Sequence, residues 1–263
     1  MEWKTVLCRF EDGVATITLN RAEQYNALDF QLGDDLIAAL EACQKDEAVR
    51  AVILTGAGKA FCSGGDLKMM KEFVNGDPAE PFRQLTKRLN RIIIDLRRLE
   101  KPVIAAINGA VGGGGLSIAA ACDLRIASSR AIFRQAYTNV GLVPDGGWTL
   151  LVPLLIGFGR ASELLFYDPV FDARQALAMG LVNKVVEPGE LADAAREWAE
   201  KLAGGPTRSF AAIKNLVNNA LLNLLERQVE LERQGIIGAA GTTDYLEGLG
   251  AFFEKRAPKF AGK

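Results

Sequence analysis

Short apolar runs alternate with longer amphipathic stretches along the first 190 residues of the chain. Short runs bounded by Gly, Asn, Asp or Pro predict strands, whereas apolar residues spaced three and four positions apart predict helices. The predicted strands are residues 6–10, 14–19, 51–54, 103–107, 124–127, 131–133 and 181–186, with a hairpin between the first two. The predicted helices are residues 29–43, 66–73, 82–99, 116–122, 148–155, 160–166 and 172–178.

From residue 191 onward every segment has a helical pattern, over residues 191–203, 207–236 with a break, and 242–255. We therefore expect an α/β region over residues 1–190 and a helical region over residues 191–263. The middle helix carries an apolar stripe, which must be buried on the chain's own core or on another subunit. The stripe consists of Ile213, Leu216, Val217, Leu221, Leu222 and Leu225.

Composition narrows the possible functions. With 263 residues, 49% of them apolar, the chain can bury one large core. Its 31 basic and 32 acidic residues nearly cancel, which argues against nucleic acid or anionic lipid as a partner. The N-terminus does not resemble a signal or transit peptide, and no apolar run is long enough to span a bilayer. Four cysteines without CxxC spacing predict the reduced thiols of a cytoplasmic protein.

The chain contains no histidine. This excludes Ser-His-Asp and Cys-His catalysis, and it removes the commonest zinc ligand, so we expect no metal site. Chemistry must therefore depend on carboxylates, backbone amides, hydroxyls, Lys or Tyr.

The stretch from Pro102 to Asp123 predicts a buried strand, a turn through the glycine run Gly112–Gly115, and a buried helix. Glycines let the backbone approach a ligand closely, and the first amides of a helix have no partner inside the helix. Together with the helix dipole, these amides favour a phosphate or an oxyanion above the turn. A role in packing alone remains an alternative. The last glycine of the dinucleotide-binding GxGxxG pattern is missing.

Two further glycine loops, Cys62–Asp66 and Gly141–Gly147, also join a strand region to a helix. Together with Gly112–Gly115, Asn20–Leu28 and the C-terminal segment 247–260, they resemble the enoyl-CoA hydratase/isomerase family, the crotonase superfamily. The resemblance implies an α/β spiral of ββα units followed by a helical trimerisation region. It also implies a homotrimer or a dimer of trimers. The substrate would be a coenzyme A thioester that forms an enolate, with no separate cofactor.

The resemblance also assigns site residues. The backbone amides of Gly65 and Gly114 would hold the thioester oxygen, which agrees with the helix-terminus argument above. Lys68 would lie on the adenine side of coenzyme A, and Phe252 and Lys255 would reach the ligand of a neighbouring subunit. The coenzyme A contacts implied in this way are Tyr25, Ala27, Ser63, Gly65, Asp66, Leu67, Lys68, Phe252 and Lys255.

The chain departs from the hydratase pattern at the catalytic glutamates, whose positions hold Ser117 and Tyr137. One carboxylate, Asp145, remains in the third loop. A lone acidic residue there resembles family isomerases, in which one carboxylate moves a proton from C2 to C4. We expect Leu142, Val143 and Trp148 to raise the pKa of Asp145 by giving it an apolar surrounding. The alternative interpretation of Asp145 is a helix N-cap.

The isomerase interpretation has several rivals. A hydratase or another lyase would need unrecognised acid and base groups, and would depend on Ser117 or Tyr137. A nucleophilic Asp145, as in family dehalogenases, would lack the histidine that activates water. A non-catalytic acyl-CoA-binding trimer would bind thioesters without turnover. An RNA-binding role disagrees with the net charge of −1. Tyr137 would shape the acyl pocket or, alternatively, act as an acid.

Overall fold

The computed structural model describes residues 3–263. The strands are β1 Val6–Glu11, β2 Val14–Leu19, β3 Ala51–Gly56, β4 Ala60–Cys62, β5 Val103–Ile107, β6 Ala110–Gly112, β7 Leu124–Ser128, β8 Ile132–Arg134, β9 Phe171–Asp172 and β10 Lys184–Val186. The helices are α1 Phe30–Lys45, α2 Leu67–Lys71, α3 Glu80–Arg98, α4 Gly114–Ala121, α5 Trp148–Ile156, α6 Phe158–Tyr167, α7 Ala173–Met179, α8 Leu191–Ala203, α9 Thr207–Ala240 and α10 Thr243–Glu254.

Two sheets organise the α/β region. A six-stranded sheet has the order β1-β2-β3-β5-β7-β10, and a four-stranded sheet has the order β4-β6-β8-β9. Successive strands from β3 to β8 alternate between the two sheets, and helices follow β4 and β6, so the chain advances as a spiral of ββα units. The predicted α/β class with a helical C-terminal region is confirmed. The predicted hairpin is also confirmed, since Asp12 and Gly13 take the positive φ angles of 49° and 77° that a two-residue turn needs.

The sequence did not predict β4 and β6, which are three residues each and lie inside the glycine-rich stretches. They pair in parallel with each other, and β6 pairs in parallel with β8. Their carboxyl ends therefore lie side by side at one edge of the smaller sheet. The loop after β4 carries Gly65, and the turn after β6 carries Gly114, so the sheet brings the two glycine loops together.

Most element boundaries lie within about two residues of the prediction, and two elements differ more. Helix α9 runs without a break from Thr207 to Ala240: the apolar side of its second half is held along the core, and its glycines lie only near the C-terminal end. The last strand shortens to Lys184–Val186. Just before it, Asn183 bonds to the backbone of Arg125 through both its amide and its side chain, and Leu181 and Val182 are buried.

The C-terminal helices pack on the chain's own core. Leu225, Val229 and Ile236 of α9 belong to the main apolar cluster, as does Tyr245 of α10. Helix α8 covers part of the six-stranded sheet through a second, smaller cluster. A division of the chain at residue 190 stays a prediction.

The first half of the predicted stripe on α9 is not buried on the chain's own core, which leaves burial on another subunit as a prediction. Ile213, Leu216 and Val217 are exposed, whereas the polar residues Lys214 and Asn218 are buried. The reason is a set of polar partners beneath the helix. Lys214 Nζ lies 2.7 Å from a carboxylate oxygen of Asp123, and Asn218 accepts hydrogen bonds from Arg97 at 2.9 and 3.1 Å. None of the helices in residues 3–263 has both the length and the apolar character needed to cross a membrane.

Candidate functional site

One cavity of about 420 Å³ contains most of the residues singled out from the sequence. It opens where β4 and β6 end, and residues of α3, α9 and α10 also line it. The predicted site residues among its walls are Tyr25, Ala27, Ser63, Gly65, Asp66, Leu67, Lys68, Gly114, Asp145 and Phe252. Lys255, which ends α10 in a left-handed conformation (φ 53°), does not line it. Phe252 lies beside the cavity of its own chain. The ligand contacts of these residues stay predictions.

Two backbone amides in the cavity wall lack protein partners. Among the described residues, neither the amide of Gly65 nor that of Gly114 donates a hydrogen bond to a protein acceptor. Gly114 is the first residue of α4, where an amide has no partner within the helix. The residues just before them, Gly64 and Gly113, have φ angles of 100° and 49° that favour glycine. A Cβ on Gly64 would lie 3.2 Å from Gly113 Cα, so the two loops touch.

The segment after Asn20 holds the first glycine loop in place. Leu28 accepts a hydrogen bond from the amide of Asp66 and donates one to the carbonyl of Gly64, at 2.9 and 2.7 Å, which pairs it with Gly65 as a short bridge. The Asp66 carboxylate caps α2 by accepting from the amides of Lys68 and Met69. It also forms an ion pair with Arg21 at 2.9 Å. Asp66 is therefore placed to shape the loop, and its side chain is already occupied.

Asp145 is a buried carboxylate in the cavity wall. The hydroxyl of Tyr137 donates a hydrogen bond of 2.6 Å to its Oδ1 atom, whereas Oδ2 receives no hydrogen bond from residues 3–263. Burial raises the pKa of Asp145 to about 6, and the bond from Tyr137 opposes this rise. Burial, together with the charge of Asp145, raises the pKa of Tyr137 well above its ordinary value. A Cβ on Gly114 would lie 3.8 Å from Asp145 Oδ1, so carboxylate and amide are neighbours.

The helix-cap interpretation of Asp145 is wrong. Helix α5 begins at Trp148, and its N-cap is Gly147, which has φ 78° and no side chain. The cap comes from Glu232 of α9, whose carboxylate accepts from the amides of Gly147 and Thr149 at 2.6 and 2.8 Å. Sequence reasoning missed Glu232, because nothing in the pattern relates residues that are 85 positions apart.

Ser117 and Tyr137, which occupy the hydratase glutamate positions, differ in their surroundings. The hydroxyl of Ser117 donates to the backbone carbonyl of Asp145 at 2.7 Å, and Ser117 is absent from the cavity wall. Tyr137 lies in that wall and bonds the Asp145 carboxylate. Ser117 thus fixes the Asp145 loop. The sequence had left Tyr137 as a pocket residue or an acid and did not find its link to Asp145.

Apolar side chains form the rest of the cavity. Leu89 lies against the carboxylate loop, since a Cβ on Gly146 would be 2.8 Å from it. Of the three residues expected to surround Asp145, Leu142 and Trp148 are buried, but Val143 is exposed and cannot supply burial. Apolar residues of the wall include Leu28, Leu67, Met70, Phe82, Leu85, Leu89, Val140, Leu142, Ile236 and Phe253. Within residues 3–263, no three Cys, Asp or Glu side chains converge as metal ligands.

Comparisons with known proteins agree with this architecture. The family model described as enoyl-CoA hydratase/isomerase matches residues 9–263. The trans-2-decenoyl-[acyl-carrier-protein] isomerase of Streptococcus mutans is 36% identical over 263 residues, which cover 100% of both chains. The 1,2-epoxyphenylacetyl-CoA isomerase of Escherichia coli is 38% identical over 262 residues, covering 98% of each. The crystal structure of an enoyl-CoA hydratase from Mycobacterium avium subsp. paratuberculosis superposes with a TM-score of 0.89 at 31% identity, covering 99% of this chain and 100% of that one. The chain is therefore an enzyme of the enoyl-CoA hydratase/isomerase family, within the crotonase superfamily.

Proposed function

We propose that the protein is an enoyl-CoA isomerase that moves a double bond from C3 to C2 of an acyl-CoA thioester. Asp145 Oδ2 removes a proton from C2, and the electron pair moves onto the thioester oxygen as a dienolate. The amides of Gly65 and Gly114 donate to that oxygen. The neutral Asp145 then returns the proton at C4, and the double bond re-forms between C2 and C3.

The observation that carries this proposal is the pairing of one accessible carboxylate with two unpartnered amides. Three carboxylates line the cavity: Glu23 is exposed, Asp66 is bound to Arg21 and to a helix terminus, and Asp145 keeps Oδ2 open. A base works best when its pKa lies near the working pH, and the pKa of Asp145 is raised to about 6. One such group is enough for a proton shift.

Tyr137 has a defined part in this mechanism. Its hydroxyl holds Oδ1 at 2.6 Å, which directs Oδ2 to the substrate. Because the pKa of Tyr137 is raised well above its ordinary value, the phenol stays protonated and remains a donor throughout the cycle. Hydration of a 2-enoyl-CoA needs a second group to activate water. With Ser117 bonded to a backbone carbonyl and Tyr137 bonded to Asp145, neither is placed for that role.

The residues that line the cavity support a binding site for each part of the substrate. Coenzyme A contacts Tyr25, Ala27 and the segment from Ser63 to Lys68 near the oxyanion amides, with Phe252 at the mouth. Relatives named as isomerases and relatives named as hydratases are equally similar to this chain, at 36–38% identity, so the choice of an isomerase rests on the lone carboxylate Asp145. The apolar wall takes the acyl chain, and no cofactor other than the coenzyme A of the substrate is required.

We also propose that the chain forms a homotrimer. Two separate apolar patches support it: an aromatic patch at Phe158, Phe166 and Tyr167 of α6, and a strip at Ile213, Leu216 and Val217 of α9. A ring needs two different surfaces that fit each other, and large exposed apolar patches mark interaction sites. A cytoplasmic location stays a prediction, supported by four free cysteines.

Proton NMR in D2O with a 3-enoyl-CoA tests the reaction. Wild type should convert the substrate to the 2-enoyl isomer and incorporate deuterium at C2 and C4. Asp145→Asn should lower the rate by at least about 100-fold, because the amide cannot act as the base. An unchanged rate in Asp145→Asn would remove Asp145 from the mechanism. A matching run with a 2-enoyl-CoA would reveal a hydratase, and tight thioester binding without exchange would reveal a non-catalytic binder.

A further inference from the structure

Glu232 carries a second buried carboxylate, which lies outside the cavity wall. Glu232 lies on α9, is 5% exposed, and does not line the cavity. It accepts hydrogen bonds from the amide of Gly147 at 2.6 Å and from the amide of Thr149 at 2.8 Å, and it also accepts from the Thr149 hydroxyl. Gln228, one turn earlier on α9, donates to the same hydroxyl at 2.7 Å. Glu232 therefore holds the start of α5 through three donors.

A carboxylate is well suited to this place. The first amides of a helix lack partners inside it, and the helix dipole favours a negative charge there. Gly147, the residue at the cap position, has no side chain, and the side chain of Asp145 does not bond the first amides of the helix. The cap is thus delivered from the C-terminal part of the chain, which ties α9 to the loop that carries Asp145.

Three side chains hold the Asp145 loop through hydrogen bonds at different points. Ser117 binds the backbone carbonyl of Asp145, and Tyr137 binds one oxygen of its carboxylate. Glu232 binds the chain two residues later, at Gly147. We propose that Glu232 is a positioning residue that fixes the Asp145 loop against α5 and so sets the direction of the catalytic carboxylate. This inference rests on the proposed function of Asp145.

The electrostatic surroundings agree with this arrangement. Burial raises the pKa of Glu232 to about 7, and the nearby charge of Asp145 raises it further, while the bonds from Thr149 and Gly147 lower it. Asp145 is the charged group that acts on the pKa of Glu232, and the hydroxyl of Tyr137 bonds the Asp145 carboxylate. Glu232 binds the chain two residues from Asp145, and no hydrogen bond joins the two carboxylates.

The test compares Glu232→Gln with Glu230→Gln. Gln keeps the shape of Glu but offers one acceptor oxygen, so one of the two amides at the start of α5 would face an NH2 group. Glu230 lies on the same helix and is half exposed, where it pairs with Arg233, so it is a matched control. We expect Glu232→Gln to lower kcat by about 10- to 100-fold, because small misplacements of a catalytic group are costly, with KM changed by less than about twofold. Glu230→Gln should resemble wild type.

A merely structural cap would behave differently. It would lower the melting temperature of Glu232→Gln while leaving kcat within about twofold of wild type, and that result would overturn the inference. Thr149→Val removes only the hydroxyl donor and keeps the amide bond, so it serves if Glu232→Gln does not fold. It should lower kcat by a smaller factor in the same direction, and an unchanged kcat in Thr149→Val would count against Glu232.

Crystal structures separate failure of this inference from failure of the proposed function. If wild type moves no double bond and exchanges no proton, the isomerase proposal fails. The structure of Glu232→Gln then decides about Glu232 by itself. Displacement of residues 145–149, with loss of the bond between Tyr137 and Asp145, supports positioning. If residues 145–149 have not moved and the bond between Tyr137 and Asp145 is kept, the inference about Glu232 is overturned, whatever the activity of the variant.

Discussion

At the scale of single residues, the buried charge of Asp145 opposes folding. Its pKa is raised from 3.8 to about 6, so the folded protein binds this proton more tightly than the unfolded chain does. The stability that this provides is complete below about pH 4 and is lost as the pH rises through 6. Above that range the ionised carboxylate costs on the order of 3 kcal/mol relative to its neutral form.

Asp145→Asn should therefore stabilise the fold while it removes activity. An Asn can still accept the hydrogen bond from Tyr137, and it carries no charge to bury. We expect its melting temperature to exceed that of wild type by several degrees at about pH 7.5, with a smaller gain at about pH 4.5. Thermal unfolding at both values measures this. Asp193→Asn, at an exposed position on α8, should show no such pH-dependent gain. A gain that is equal at both pH values would contradict the buried-charge argument.

Tyr137 sets the pH range in which Asp145 is ionised. Its hydrogen bond lowers the pKa of Asp145, so Tyr137→Phe should raise that pKa. A base must be ionised to act, and the acid limb of the pH–rate profile should move to higher pH by about one to two pH units. The profile of kcat measured on wild type and variant tests this.

The matched control for this substitution is Tyr167→Phe. Tyr167 is 83% exposed on α6, and it loses the same hydroxyl at a distance from the cavity. Its profile should coincide with that of wild type. If the acid limb of Tyr137→Phe also stays in place, Tyr137 does not control the protonation of Asp145.

Residue types predicted only part of the site. The absence of histidine and the missing glutamates directed attention to Asp145, and the glycine loops indicated the two amides. These features depend on local sequence. The hydrogen bonds of Tyr137 and Glu232 to the Asp145 loop depend on packing between distant segments, for which a hydrophobic pattern contains no signal.

At the scale of helices and strands, α9 illustrates where pattern analysis fails. Periodicity assigns apolar residues to the core and polar residues to solvent. In the first half of α9 the reverse holds, because Arg97 and Asp123 lie beneath it and require polar partners. In its second half Leu225 and Val229 are buried as the pattern would require. Strands β4 and β6 were missed for another reason, since three residues are too few to establish a period.

Asn218 anchors α9 to α3. Its carbonyl accepts from Nη2 and Nε of Arg97, and its amide donates to the Arg97 carbonyl. Asn218→Ala would leave the partly buried guanidinium and carbonyl of Arg97 with fewer partners. We expect it to lower the free energy of unfolding by about 2–3 kcal/mol, seen as a lower urea midpoint.

The adjacent Asn219 offers the control, because it lies on the same helix and is exposed. Asn219→Ala should change the free energy of unfolding by less than about 0.5 kcal/mol. Equal effects in the two variants would mean that the hydrogen bonds of Asn218 to Arg97 add nothing to stability, because the two substitutions differ only in those bonds and share the same change in helix propensity.

At the scale of the whole molecule, the spiral was predictable because its loops have a recognisable order, but the surfaces through which the helical region would meet a neighbour were not. The sequence left open whether the helical tail packs on its own core or on a neighbour. The two halves of α9 differ in this respect. Leu225 and the residues after it complete the core of the same chain, whereas Leu216 is 70% exposed. Phe158 and Phe166, each 81% exposed, form the second unburied patch.

Mixing two variants tests whether these patches fit each other. In a ring, the aromatic patch of one subunit contacts the α9 strip of the next, so a charge on either patch breaks every contact. Phe166→Glu and Leu216→Glu should each be monomeric by light scattering, whereas wild type and Lys201→Glu, a charge change at an exposed α8 position, stay trimeric. Each variant keeps the surface that the other has lost. Their mixture should therefore form a dimer through the one intact pair of patches. If each patch instead met its own copy, the mixture would contain only the homodimers that each variant forms alone, and the proposed ring would be wrong.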